Sequence, residues 1–358
     1  MKKLKIKNRP HRFKRTQYAL YILLPLLIIA VVLTFLAFDY FHGNPKTGDY
    51  ISGQAEPSAA YKNLDLSIAK TATYVSNPIK ISRDLGVVGG VRQQIFNFYV
   101  AKDNLTESGL LSLPLTPAPA GGYPLIILCH GYSNPLYYST EKAYLPDMEF
   151  YSKNGYAVLK PDYRGQGLSI GQGSPEGAYY SMAYNTDVLS LIAAAKVTKM
   201  FNKNDINLWG HSMGAYVALR ASVLSPDIKN TILLSGPIGY VQDMFSSYVA
   251  ISDANNAVAA TIRAKQLSAH NTPMANPAFW DKTSPLNYLK DSKSFYQIHV
   301  GTADKIVPPH FSADFDTVLT KDSKPHQYYV YPGGDHGLVS LKPIIWSRSL
   351  AQLNSVKP

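Results

Sequence analysis

The chain has 358 residues, 46% apolar and 16% charged, the balance of a globular protein and not of a disordered one. Its formal charge of +11 is concentrated at one end: residues 1–17 hold eight of the 35 Lys and Arg side chains (Lys2, Lys3, Lys5, Lys7, Arg9, Arg12, Lys14, Arg15) and no acid, which leaves 27 bases against 24 acids elsewhere. A body so nearly neutral, with no basic stripe interleaved with aromatics, argues against a nucleic-acid partner.

The basic tail runs directly into YALYILLPLLIIAVVLTFLAF, residues 18–38, which carries no charge. At about 1.5 Å per residue a helix of this length spans roughly the 30 Å hydrocarbon core of a bilayer. The run exceeds the apolar core of a secretory signal, and no small-residue cleavage site follows it. An uncleaved N-terminal transmembrane helix is therefore expected, with Pro25 as a kink point. The Lys/Arg cluster places the tail in the cytoplasm and the body outside, and it is also attracted to anionic headgroups. Residues 39–60, rich in Gly, Pro and small polar residues, read as a stalk, and the folded domain is expected over 61–358. The single cysteine, Cys129, excludes an intrachain disulfide; within an apolar run it is expected as a small buried hydrophobe.

Short β-like pieces over 61–118, notably QQIFNFYVA at 93–101, predict leading strands. From Tyr123 the pattern becomes regular: PLIILCHG, YAVLKPD, INLWGHS, TILLSGP and FYQIHVGTAD are apolar runs bounded by turn residues. Segments of helical length, such as MAYNTDVLSLIAAAKVTKM and GAYVALRASVLS, separate most of them. This alternation predicts an α/β domain with a mostly parallel sheet and helices on both faces, its ligand at the carboxyl ends of the strands. About 57 residues at 238–294, with Tyr240, Phe245, Tyr248, Phe279 and Trp280, interrupt the rhythm. They are either a lid over the pocket or a larger crossover with an extra helix pair.

The chemistry lies in the turns. Gly210-His211-Ser212-Met213-Gly214 follows an apolar strand and opens a helix, a context in which a serine is presented on a tight turn with its glycines preventing clashes. A hydroxyl needs a base to become a nucleophile. The later strands supply one in the expected order, with Asp304 in IHVGTADKIVPP and His336 in YVYPGGDHGL. In this reading His336 takes the Ser212 proton and Asp304 orients the imidazole. Asp162, Asp187, Asp314, Asp316 and Asp335 are the alternative acids. Two backbone donors are expected for a developing oxyanion, the N–H of Met213 at the helix start and the N–H of Tyr132 in LCHGYSN; the Tyr132 phenol is the alternative. His130 is expected to support its loop, His211 to point away from the elbow, and Arg164 in PDYRGQGLS to pair with Asp162 or with an acid elsewhere.

HGY at 130–132, DYRGQG at 162–167, GHSMG at 210–214, TSPLNY at 283–288, GTADKIVPP at 301–309 and GGDHG at 333–337 resemble, in type and order, the motifs of the α/β-hydrolase superfamily, in particular its prolyl-oligopeptidase-like branch of serine peptidases and esterases. The resemblance covers roughly residues 95–355 and implies an α/β-hydrolase fold with a Ser212–Asp304–His336 triad. It departs in two respects, a minor one being Gly-Ala in place of Gly-Gly at the end of the elbow (Gly214, Ala215). The peptidases of this branch carry a long β-propeller ahead of the catalytic domain, whereas only about sixty residues separate stalk from sheet here. DYRGQGLS with GHSMG also resembles the monoacylglycerol-lipase-like group. The expected activity is hydrolysis of carboxylic esters through an acyl-enzyme. A peptidase acting on short peptides and a catalytically silent binding module remain the alternatives. No metal or cofactor is implied.

Overall fold

The computed structural model describes residues 64–135, 137–170, 181–247 and 257–355. The expected tail, transmembrane helix and stalk at 1–60 lie outside the described residues, as does the stretch 248–256 of the insertion.

A short helix α1 (Leu66–Thr71), N-capped by the Asp65 side chain, precedes an antiparallel meander of β1 (Lys80–Val88), β2 (Val91–Val100) and β3 (Leu105–Leu113). The α/β alternation follows as β4 (Tyr123–Cys129), α2 (Leu145–Lys153), β5 (Ala157–Pro161), α3 (Ala183–Val197), β6 (Phe201–His211), α4 (Met213–Leu224) and β7 (Ile228–Leu234). The insertion holds α5 (Val241–Ser247), α6 (Ala257–His270), α7 (Pro277–Asp281) and a 3-10 helix at Pro285–Asp291. Then come β8 (Phe295–Gly301), α8 (His310–Lys321), β9 (His326–Tyr331) and α9 (Lys342–Ser355). All nine strands form one sheet in the order β1-β2-β3-β5-β4-β6-β7-β8-β9. The three pairs from β1 to β5 are antiparallel and the five from β5 to β9 are parallel.

β4 is apolar throughout because both its faces are covered, whereas β5 to β8 also bury polar side chains such as Lys160, Asn207, Thr231 and Gln297. Leu125, Ile127 and Cys129 of β4 point to one side, with Leu208 and Leu233, beneath α3, α4 and α8. Ile126 and Leu128 point to the other, with Trp209, Ile232 and Leu234, beneath α2 and α9. Burying each such Leu or Ile side chain stabilises the fold by about 1.5–3 kcal/mol. Cys129 is fully buried as expected, and burial pushes its thiol up to about 12. The insertion is tied to the body at its far end: Trp280 is buried against Phe245 and Phe279, and Leu286 and Leu289 of the 3-10 helix enter the main core.

The strand order reverses at β4, whose chain continuation goes to β5 on one side while β6 lies on the other. Loops leaving β4 and β6 therefore face each other across a crevice at the carboxyl ends. Register sharpens this. Cys129 pairs with Gly210, His211 with Leu234, Leu234 with His299, and Gly301 with Tyr331, so the loops carrying Tyr132, Ser212, Asp304 and His336 leave one edge of the sheet side by side.

Candidate active site

Ser212 stands between the end of β6 and the start of α4 with φ 55° and ψ −126°. A positive φ is uncommon for a residue with a side chain, and this combination is one that glycine adopts easily. The strain is held from both sides: Ser212 N–H donates to the Leu234 carbonyl at 2.9 Å and the Ser212 carbonyl accepts from Ala215 N–H at 2.9 Å. The turn closes only because its flanks are glycine. A Cβ on Gly210 would lie 2.4 Å from the Gly214 carbonyl oxygen, and one on Gly214 would lie 2.0 Å from the Cys129 carbonyl oxygen.

The structure brings the three sequence-predicted residues together. His336 Nε2 lies 2.9 Å from Ser212 Oγ, and His336 Nδ1 lies 2.8 Å from Asp304 Oδ2. Asp304 follows β8 in a turn whose Ile306 and Val307 N–H groups donate to its Oδ1 at 2.8 and 2.9 Å. Its side chain is shielded from solvent, and burial alone would raise its pKa. The hydrogen bonds from His336, Val307 and Ile306 outweigh that and hold it below the ordinary carboxylate value. The two loops are fastened by Ala303 N–H donating to the Gly334 carbonyl at 2.9 Å, where a Cβ on Gly301 would lie 2.2 Å from that oxygen. An ionised carboxylate beside Nδ1 keeps the proton there, leaving Nε2 as an acceptor toward the serine hydroxyl.

The other aspartates are engaged elsewhere. Asp162 accepts from Thr140 Oγ1 at 2.7 Å and from Leu168 N–H at 3.1 Å. Asp187 holds Arg164, and Asp316 contacts His326 at 2.9 Å. Asp335 accepts from Leu338 N–H at 2.8 Å. Arg164 thus takes the second of its two expected partnerships: its Nε meets Asp187 at 3.0 Å and its Nη2 meets Asp103 at 2.7 Å. This ion pair, together with Asp162, stiffens the 162–169 loop.

Of the two expected oxyanion donors, Met213 is the first residue of α4, where an N–H has no intrahelical acceptor and the helix dipole favours negative charge. Tyr132 is exposed, and its neighbour Gly131 lies against the elbow: a Cβ on Gly131 would sit 3.2 Å from Ser212 Cβ. His130 supports this loop. It is fully buried between Tyr138 and Tyr163, with Nδ1 2.8 Å from the Gly131 carbonyl oxygen, and burial lowers it to about 3, keeping it neutral. His211 departs from expectation. Its ring does not turn away from the site; its Nε2 lies 3.0 Å from the His336 carbonyl oxygen and its Nδ1 lies 2.8 Å from Tyr144 Oη. Nothing in the local pattern marks Tyr144, which arrives from the long connection after β4.

Among the described residues one group could offer three ligand atoms to a metal ion: Asp243, His310 and Asp314, whose atoms lie within 4.8 Å of one another. It is largely exposed and explained as a surface hydrogen-bonded contact, with His310 Nε2 3.0 Å from Asp243 Oδ2. A depression lined by Gly122, Lys196 and Phe201 lies at the opposite, amino-terminal edge of the strands and touches none of the residues above.

Residues 124–284 match the family model described as serine aminopeptidase, S33. No curated protein matches the chain in sequence. Among solved structures, acetyl xylan esterase 1 from Thermoanaerobacterium sp. is 18% identical, with a TM-score of 0.57 over 81% of this chain and 93% of the esterase. Dipeptidyl peptidase 4 of Porphyromonas gingivalis is 15% identical, with a TM-score of 0.51 over 79% of this chain. The acylaminoacyl peptidase of Pyrococcus horikoshii is 19% identical, with a TM-score of 0.53 over 69%. The chain spans only 36% and 38% of the lengths of these two peptidases.

Proposed function

We propose that the chain, which matches the serine aminopeptidase S33 model over residues 124–284 and shares the fold of esterases and peptidases, is a serine hydrolase that cleaves carboxylic esters through an acyl-enzyme on Ser212. The observation that carries this reading is the continuous hydrogen-bonded path from Ser212 Oγ through His336 to Asp304. His336 Nε2 takes the hydroxyl proton as Oγ attacks the carbonyl carbon, and the tetrahedral oxyanion is met by the N–H groups of Met213 and Tyr132. The protonated imidazole, stabilised by Asp304, passes its proton to the leaving alcohol. Water then enters and gives a proton to the same nitrogen as its oxygen attacks the acyl carbon; the bond to Ser212 Oγ breaks, the proton passes from His336 to Oγ, and the acid leaves.

Esters are favoured because the fold similarity covers 93% of an esterase but little more than a third of the peptidases. A peptidase on short peptides is the second reading, favoured by the family model over 124–284. The uncharged run at 18–38 supports a membrane tether with the basic tail in the cytoplasm and the catalytic body outside. Comparing p-nitrophenyl esters of increasing acyl length with aminoacyl and dipeptidyl p-nitroanilides, against a Ser212→Ala blank, tests the chemistry. Ester turnover with inert anilides is expected; rapid anilide cleavage would replace the first reading by the second. Removing residues 1–38 is expected to give a soluble body of unchanged activity, and a chain that stays in solution without the deletion would remove the tether.

A further inference from the structure

One hydrogen-bonded chain joins three loops that carry the reacting groups. Gly131 N–H donates to Tyr144 Oη at 2.9 Å, Tyr144 Oη lies 2.8 Å from His211 Nδ1, and His211 Nε2 lies 3.0 Å from the His336 carbonyl oxygen. The ends fix the directions. A carbonyl only accepts, so His211 Nε2 carries the proton; a neutral imidazole then leaves Nδ1 as an acceptor, the Tyr144 O–H donates to it, and a lone pair on the Tyr144 oxygen takes the Gly131 N–H. All three bonds point the same way, so each polarises the next.

Tyr144 reaches this position at a conformational cost. Its backbone is left-handed, φ 59° and ψ 21°, which is unusual for a bulky residue, and it holds that conformation as the residue that opens α2. Met148 and Tyr151 anchor α2 in the core beneath the sheet, and the Tyr144 ring meets Trp209 edge-on with centroids 5.9 Å apart. Gly131 is fitted to the phenol, since a Cβ there would lie 2.8 Å from Tyr144 Oη. The charged and titratable groups facing His211 are His336, Lys342, Asp304 and Tyr144. Burial lowers the ring to about 4, and the His336 and Lys342 charges add to this against the His336 carbonyl bond and Asp304. A neutral His211 matters because its ring centroid is 5.0 Å from that of His336. A cation there would oppose the imidazolium that His336 must become.

The geometry points to Tyr144 and His211 as positioning residues: through the Gly131 N–H and the His336 carbonyl they hold the oxyanion loop and the base in register with Ser212. This rests on the reading of Ser212 as the nucleophile.

The test uses the full chain with a p-nitrophenyl ester and four variants. Tyr144→Phe removes only the hydroxyl, His211→Leu removes both ring nitrogens, His211→Gln restores an N–H donor toward the His336 carbonyl, and Ser212→Ala is the blank. Tyr144→Phe and His211→Leu are expected to lower kcat on the order of 10- to 100-fold with KM little changed, the scale of a small misalignment of reacting groups. His211→Gln is expected to recover most of the loss. Wild-type kcat in folded Tyr144→Phe overturns the inference, and this variant keeps the test open if His211→Leu does not fold. A raised KM with kcat intact overturns it as well, because it would make these residues substrate contacts. Equal loss in His211→Gln and His211→Leu shows that the donor is not what matters and overturns it too. If Ser212→Ala hydrolyses as fast as wild type, the serine-hydrolase reading fails and takes the inference with it. If Ser212→Ala is silent while Tyr144→Phe is unimpaired, only the positioning role fails.

Discussion

Asp304 and His336, brought together from the ends of adjacent strands, meet at 2.8 Å through Oδ2 and Nδ1, while the second oxygen of Asp304 accepts two backbone N–H groups of its own turn. Replacement by asparagine would keep the turn, because the amide oxygen can still accept from Ile306 and Val307. The amide NH2 would then face His336 Nδ1 and force the ring proton onto Nε2, the nitrogen that must be bare. Asp304→Asn is therefore expected to fold normally and lose about 10⁴-fold in kcat, as a triad acid does. Thermal melting beside ester hydrolysis checks both halves. An unchanged rate in the folded variant would remove Asp304 from the machinery.

Ser212 is held at a positive φ that its own Cβ resists. Such a conformation costs about 1–3 kcal/mol, and glycine would be relieved of it while losing about 0.5–1 kcal/mol to its greater unfolded-state freedom. Ser212→Gly is thus expected to raise the unfolding free energy on the order of 1 kcal/mol while abolishing turnover. Ser212→Ala, which keeps the Cβ, should abolish turnover without that gain. Denaturant midpoints of the three proteins decide it, and equal stability of the Gly and Ala variants would show that the elbow stores no strain.

The elements legible in the sequence were those whose physics is local. β4 is buried on both faces, so it appears as an unbroken apolar run, and the elbow announces itself through Gly210 and Gly214, which backbone contacts leave no room to replace. Ser212, Asp304 and His336 follow from the same logic, since each lies in the turn after a recognisable strand. β1 is harder to read: it is an edge strand, largely exposed, with two register shifts that break its alternation. Contacts that depend on chain crossing were legible only in outline. A distant acid for Arg164 is one of two expectations, but its identity as Asp187 on α3 and Asp103 after β2 is not, and nothing announces that Tyr144 reaches His211 across 67 positions of sequence.

His299 provides a pH test away from the site. Its ring is fully buried on β8, with Nε2 2.9 Å from Gln297 Oε1 and Nδ1 2.8 Å from Tyr331 Oη. Burial, helped by the Arg348 and Lys342 charges, lowers it to about 3 from an ordinary 6.5. The unfolded chain therefore binds a proton below pH 6.5 that the folded chain refuses until about pH 3, so stability falls as pH drops through that window. The slope for one such group is about 1.4 kcal/mol per pH unit. A His299→Gln variant lacks the term. Its stability relative to wild type is expected to improve by about 2 kcal/mol between pH 6.5 and 5, whatever its absolute value. Denaturant unfolding at the two pH values measures this, and a constant difference between the proteins would mean that His299 titrates alike in both states.

Arg164 and Asp187 supply the last prediction. Both are buried, they are joined through Arg164 Nε and Nη2, and Arg164 also meets Asp103 at 2.7 Å. Glu107 is fully buried beside them, 3.9 Å from the guanidinium, and burial with the nearby Asp187 charge raises its pKa well above the carboxylate range. The site thus sets one cation against Asp187 and the more exposed Asp103, with burial favouring the neutral form of Glu107. Arg164→Met fills similar space but strands the Asp187 charge away from water, a loss of about 3–5 kcal/mol. Removing the charge too, in Arg164→Met/Asp187→Leu, is expected to recover part of that loss, because the stranded charge goes while the Arg164 N–H and the Glu107 carboxyl lose Asp187 as a partner. The two variants separate a structural ion pair from simple packing. If the double variant is as unstable as the sum of its single substitutions, the pair is uncoupled and the loop is held by shape alone. Loss of ester turnover in a stable double variant would instead give this pair a part in the chemistry.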